Sequence, residues 1–169
     1  LDPKIKNRSR VHYQMANIEV SAYKGDNNWA LLLDPDGFIA EGTGDNFFIV
    51  KNEVIITPED RNILRGVSRD YIFEIAKELR LGCIEKNIGP YDVYTADEAF
   101  MTGTPFCLLP VTSLNTLAIG DGKMGKITQS LLDQWSKNVG VDIKKQIVDY
   151  SLEVKALKTN APSPYQFNS

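Results

Sequence analysis

Between Arg8 and about Ala22 the apolar residues Val11, Met15, Ile18 and Ala22 recur at spacings of three and four, the mark of one face of an amphipathic helix. Gly25-Asp26-Asn27-Asn28 breaks it. Trp29 to Leu33 is a continuous apolar run, Pro35-Asp36-Gly37 supplies a turn, and Phe38-Ile39-Ala40 resumes the run. That pattern predicts a hairpin of two buried strands. Phe47 to Val50 and Val54 to Ile56, joined by Lys51-Asn52-Glu53, predict a second hairpin. From Arg65-Gly66-Val67-Ser68 a helix is expected through Leu81, with Ile72, Ile75, Ala76 and Leu79 on one face, Ser68 as its N-cap and Gly82 as its stop. A short strand near Cys83 to Glu85 and a helical turn at Tyr91 to Ala96 follow. Glu98 to Met101 and Phe106 to Val111 read as strands flanking Thr102-Gly103-Thr104-Pro105. One more strand near Leu117 to Ile119 precedes helices from Ile127 to Val139 and from about Asp142 to Leu157.

Hairpins mixed with helices, without regular βαβ units, predict a mixed α/β (α+β) domain. Two curled sheets packed against each other, with helices outside, is the expected architecture. The 169 residues suffice for one ordinary domain, which buries roughly 70% of its unfolded surface. Hydrophobic residues at 43% and charged residues at 24% exclude a disordered chain or a coiled coil. The net charge of −3 offers no broad footprint for nucleic acid, and no apolar run approaches a membrane span. Cys83 and Cys107 fit no zinc or redox spacing and read as small core residues in a reducing cytoplasm. With His12 as the sole histidine, neither a metal site nor a His-dependent relay is expected. The opening Leu1-Asp2-Pro3-Lys4 reads as a linker within a longer polypeptide, and Thr159 to Ser169 as a poorly ordered tail.

Candidate chemistry is sparse. Lys6 and Arg10 stand four apart and would share a helix face. Ala40-Glu41-Gly42-Thr43-Gly44-Asp45-Asn46-Phe47 sets a carboxylate at a strand end beside glycines that let backbone approach a ligand. Gly66-Val67-Ser68 opens a helix, whose N-terminus attracts anions, and Thr102-Gly103-Thr104 is a hydroxyl-and-glycine loop between strands. Taken singly, each is most simply a structural feature: a solvated lysine, a turn, a cap, a connection.

Their order carries more. Lys-x-x-Ser-Arg from Lys6, Glu-Gly-Thr-Gly-Asp-Asn-Phe-Phe from Glu41, Leu-Arg-Gly-Val-Ser-Arg-Asp from Leu64 and Asp-Glu-Ala-Phe-Met-Thr-Gly-Thr from Asp97 together resemble the class IV aminotransferases. These are pyridoxal-phosphate enzymes of fold type IV, among them branched-chain and D-amino-acid aminotransferases, R-selective amine transaminases and aminodeoxychorismate lyase. The resemblance runs from about Ile5 to Val139 and covers the family's larger, C-terminal cofactor domain. It implies a pseudo-barrel of two curled sheets over residues 1–158, a flexible tail over 159–169, and a small N-terminal domain that this sequence does not contain.

The resemblance also implies roles. Lys6 matches the lysine that forms the internal aldimine with pyridoxal 5′-phosphate and later moves the substrate proton. Glu41 matches the carboxylate paired with the pyridine nitrogen, Leu64 the residue packed on the ring, Val67 and Ser68 the phosphate cradle, and Thr104 a second phosphate contact. No metal is implied. Arg10 stands where branched-chain enzymes often have Tyr, an arrangement similar to the lyase and some D-amino-acid enzymes, and is placed to hold the cofactor's phenolic oxygen. Pro105 stands where they commonly have Ala, and lacks the N–H that would meet a substrate carboxylate. The run Asp34 to Gly42 and Thr102-Gly103-Thr104 is most similar to branched-chain aminotransferases, which move an amino group between a branched-chain L-amino acid and 2-oxoglutarate. A D-amino-acid or R-amine transaminase, the lyase, or a non-catalytic scaffold are the alternatives. The family further implies a cytoplasmic homodimer, a phosphate-binding arginine in the upstream domain, and an apolar face near Phe47, Phe48 and Leu64 that this domain would cover.

Overall fold

Strand β3 (Asn46–Lys51) organises the sheet. In the computed structural model, which describes residues 2–6, 9–25 and 27–160 without the side chains of 154–160, β3 pairs antiparallel with β6 (Glu98–Gly103) from Asn46↔Thr102 to Val50↔Glu98. Its other edge meets β2 (Ile39–Gly42) only at Glu41↔Asn46, and then β4 (Val54–Thr57) from Ile49↔Ile56 to Lys51↔Val54. Beyond β2 lies β1 (Leu31–Leu33), beyond β4 the parallel strand β5 (Gly82–Glu85), and beyond β6 strand β7 (Cys107–Val111). β8 (Ser113–Leu114) and β9 (Leu117–Ala118) form a separate ribbon.

The mixed α/β class and both hairpins agree with the sequence pattern, although in the first hairpin only β2 is buried, β1 being half-buried with Leu33 exposed. The pair of curled sheets does not. Among the described residues the pairing gives one seven-stranded sheet that forks at β3, because β2 leaves β3 after a single paired position and β4 takes its place.

The period of two along β3 builds both cores. Phe48 and Val50 face helices α2 (Val67–Glu78) and α4 (Lys126–Val139), packing with Ile72, Ile75, Leu131 and Trp135. Phe47 and Ile49 face the other way, onto Ile39, Ile88, Val93 and Ala99. Phe48 stacks on Phe100 directly across the sheet, ring centroids 4.8 Å apart. The exposed apolar face expected around Phe47 and Phe48 is therefore absent: they are 2% and 0% exposed, one in each core, and Leu64 is half-buried.

The helices refine the sequence reading. α2 begins one residue before Ser68; Gly66 is its N-cap and no side chain caps it. It ends earlier than Gly82, because Arg80 turns left-handed (φ 58°) and the Leu81 amide reaches back to the Ala76 carbonyl at 2.8 Å, a Schellman closure. Gly82 starts β5. α3 (Pro90–Tyr94) is the expected helical turn. α5 (Ile143–Asn160) takes in Thr159 and Asn160 of the expected tail, and residues 161–169 lie outside the described residues.

The first helix, α1, is Val11–Ser21, while Arg8 falls outside the described residues. Its expected apolar face points away from the sheet: Val11, Met15 and Ile18 are 65%, 60% and 60% exposed. At about 100° per residue, the half-buried Tyr13, Ala16 and Val20 lie on the opposite side. Among the described residues no helix is long and apolar enough to cross a membrane.

Candidate active site

The strand end of β2, the turn into β3, the start of α2 and the β6–β7 loop converge on one cavity of about 240 Å³. Lys6, Arg10, Glu41, Leu64, Val67, Ser68 and Thr104 all line it. Four motifs separated by up to 98 positions in the chain come together here: β3 pairs with β2 on one side and β6 on the other, and bonds to Thr43, Glu41 and Asn46 bring in Arg10 and Leu64. The shared helix face expected for Lys6 and Arg10 is not how they meet. Lys6 lies in an irregular segment and is exposed at the rim, and Arg10 is the N-cap residue of α1.

Glu41 forms the fixed point. It is 5% exposed, and three donors hold it. The Tyr13 hydroxyl donates to Oε1 at 2.5 Å, while the Leu64 amide and the Asn46 side-chain amide donate to Oε2 at 2.9 and 3.2 Å. The same Asn46 nitrogen donates to the Leu64 carbonyl at 2.8 Å, tying β3 to the segment before α2. A carboxylate offers about four lone-pair sites, so Glu41 keeps one acceptor position for a ligand. Burial pushes its carboxyl above the usual range; the Tyr13 hydroxyl and Leu64 amide pull it back in part, the neighbouring Asp45 pushes it up, and Arg10 pulls it down. Asp45, 8% exposed, is raised to about 6 by burial, against the pull of the Gly44 amide.

The other end of the cavity is a donor surface. The first bond of α2 runs from the Asp70 amide to the Gly66 carbonyl at 3.0 Å, so the amides of Val67, Ser68 and Arg69 are not used by the helix. Ser68 is buried, Val67 is 79% exposed, and Thr104 is exposed on the facing loop. Gly66 admits the close approach that fixes this end: a Cβ there would collide with Asn46 Oδ1. Arg10 reaches across the mouth, its guanidinium 3.5 Å from the Thr43 carbonyl.

Tyr13, Asn46 and Thr102 also line the cavity, and the motif reading gave them no role. For Asn46 and Thr102 a signal existed: both sit inside the quoted motifs, at strand ends. For Tyr13 the signal was a second apolar stripe, Tyr13, Ala16 and Val20, at the same spacings of three and four as the stripe taken for the inward face.

The sequence pattern of the amino-transferase class IV family matches residues 1–114, and the chain belongs to that family. It is 42% identical over 110 residues to the branched-chain-amino-acid aminotransferase of Pseudomonas aeruginosa, covering 65% of this chain and 36% of that protein. Among solved structures, the T.th. branched-chain amino acid aminotransferase with pyridoxamine 5′-phosphate superposes with a TM-score of 0.75 at 33% identity, over 80% of this chain and 45% of that one. The Thermobaculum terrenum branched-chain aminotransferase in its PLP form gives a TM-score of 0.76 at 32% identity, over 85% and 48%. The chain thus spans less than half the length of these relatives. The donor set suits a ligand of that kind: neutral N–H and hydroxyl donors for a phosphate at one end, and at the other a buried anion with one acceptor position free for a protonated ring nitrogen.

Proposed function

We propose that this chain is the cofactor-binding part of a branched-chain aminotransferase, which moves an amino group between a branched-chain L-amino acid and 2-oxoglutarate in two half-reactions. The observation that carries the reading is the pairing, in one cavity, of the thrice-bonded Glu41 with the uncapped start of α2. When bound, pyridoxal 5′-phosphate supplies an electron sink for the pair left on the substrate's Cα.

In this reading the remaining chemistry belongs to the chain. Glu41, fixed in place by Tyr13, Asn46 and the Leu64 amide, would pair with the protonated ring nitrogen. The amides at Val67 and Ser68, with Thr104 opposite, hold the phosphate by charge-assisted hydrogen bonds. Leu64 bounds the ring, and Arg10 neutralises the phenolic oxygen. Lys6 supplies the amine for covalent attachment and then, as general base and acid, takes and returns the proton at the substrate's Cα.

The match covers less than half of each relative, and the reading assigns the substrate-selecting loops and a phosphate arginine to the length they carry beyond the match and to a second copy. This chain alone should therefore bind the cofactor weakly and turn over slowly, since an open cavity admits water. A single half-reaction tests substrate class directly. The chain, supplied with pyridoxal 5′-phosphate, should form pyridoxamine 5′-phosphate when given leucine, isoleucine or valine. Formation with D-alanine or an (R)-amine instead would move the assignment to another branch of the family.

A further inference from the structure

Thr102 is 1% exposed and lines the cavity, yet its Oγ1 has no hydrogen-bond partner among the described residues. It stands directly across the sheet from Asn46, so both project from the same face. Asn46 marks where that face leads, since its amide reaches the Leu64 carbonyl and its Oδ1 abuts Gly66, the N-cap of α2. Two positions further along β6, Phe100 stacks on Phe48, which fixes the orientation of the strand beneath. A buried hydroxyl without a partner is unfavourable unless something meets it. Here it shares a cavity with Val67 and Ser68, whose helix amides are also unused.

The geometry points to the Thr102 hydroxyl as a further donor to a phosphoryl group seated on the N-terminus of α2, beside the contacts assigned to Val67, Ser68 and Thr104. This rests on the cofactor reading above and adds to it a residue that distinguishes phosphorylated from unphosphorylated ligands.

The test is calorimetric titration of the chain with pyridoxal 5′-phosphate, pyridoxal and inorganic phosphate. Thr102→Val removes the hydroxyl at nearly constant shape, and Thr102→Ser keeps it; Thr102→Ala serves as a second deletion if valine disturbs β6. One hydrogen bond to a charged phosphoryl group corresponds to roughly tenfold in affinity. Thr102→Val should therefore bind pyridoxal 5′-phosphate and phosphate about tenfold more weakly, bind pyridoxal unchanged, and recover with serine. Its unfolding midpoint without ligand should equal or exceed that of the parent chain, because the hydroxyl has no bond to lose. Parent-like phosphate affinity in both Thr102→Val and Thr102→Ala would overturn the contact while leaving the cofactor reading intact. A parent chain that does not distinguish pyridoxal 5′-phosphate from pyridoxal would overturn both.

Discussion

Two helices start on the same face of the sheet, each after a glycine, and their N-termini are treated in opposite ways. At α4, Glu98 of β6 reaches over and accepts from the Ile127 amide at 3.0 Å, the Thr128 amide at 2.8 Å and the Thr128 hydroxyl at 2.7 Å. Gly125 makes room, since a Cβ there would collide with that carboxylate. At α2 no side chain plays this part. The opposite end of the same strand, at Thr102, carries a hydroxyl with no partner. A positive helix end attracts an anion wherever it lies. The fold provides one from its own chain at α4 and leaves the place open at α2, where the family resemblance puts a phosphate.

The sharpest way to break that contrast is to empty the filled end. Glu98→Ala strips α4 of three charge-assisted bonds and should cost on the order of 3 kcal/mol in denaturant unfolding. Added inorganic phosphate should stabilise the parent and the variant equally, because its site is at α2. A phosphate effect that is absent in the parent and appears only in Glu98→Ala would mean that the anion takes the emptied α4 end and that α2 holds none.

Asp45 is a buried carboxyl in the lining of the same cavity, packed against Gly42. Its value is raised from an ordinary 3.8 to about 6, so between those limits the folded chain holds a proton that the unfolded chain releases. Unfolding free energy should therefore fall as pH rises through that window and stay lower above it, by up to about 3 kcal/mol. Asp45→Asn should flatten this part of the pH–stability curve and gain stability at neutral pH. An unchanged curve would mean that Asp45 is charged at little cost in the folded chain.

The third change concerns what ties α1 to the site. α1 has no buried residue, whereas in α2 Ile72, Ile75 and Ala76 are fully buried. Tyr13→Phe removes the hydroxyl that holds Glu41 and should lower hydrogen-exchange protection of α1 by about 1.5 kcal/mol, leaving α2 unaffected. Equal loss in both helices would contradict a separately held α1.

The smallest effect is expected at Ser68. An N-cap serine replaced by alanine costs about 1 kcal/mol. Ser68 sits inside the first turn with Gly66 as the cap, so Ser68→Ala should change stability by less than about 0.5 kcal/mol and show its effect only in phosphate affinity.

Ser68 also illustrates what local sequence can and cannot tell. Both hairpins, α2, α4 and the motif residues were legible because alternation, glycine turns and a 3.6-residue period are local signals. Displacement of the cap to Gly66 was not, because it depends on Asn46 pressing against that glycine from another strand. The fork at β3 was illegible for a similar reason: pairing partners are long-range choices, and β2 and β4 share one edge in succession. On α1 the period predicted a helix but the wrong inward face. The helix carries a second apolar stripe, Tyr13, Ala16 and Val20, and the stripe that turns inward is the one whose tyrosine bonds Glu41. Which residues gather at the cavity was legible only through the order of the motifs, and how Glu41 is held only through the fold.

The account turns on one claim, that the cavity between Glu41 and α2 receives pyridoxal 5′-phosphate with Lys6 as its covalent partner. Borohydride reduction of the chain in excess pyridoxal 5′-phosphate, followed by peptide mass mapping, reads that directly, because it fixes even a weakly held adduct. The predicted result is a dominant pyridoxyl label on Lys6 that inorganic phosphate suppresses and Lys6→Ala abolishes. A label spread over surface lysines, or centred on Lys4, with no response to phosphate, would contradict it.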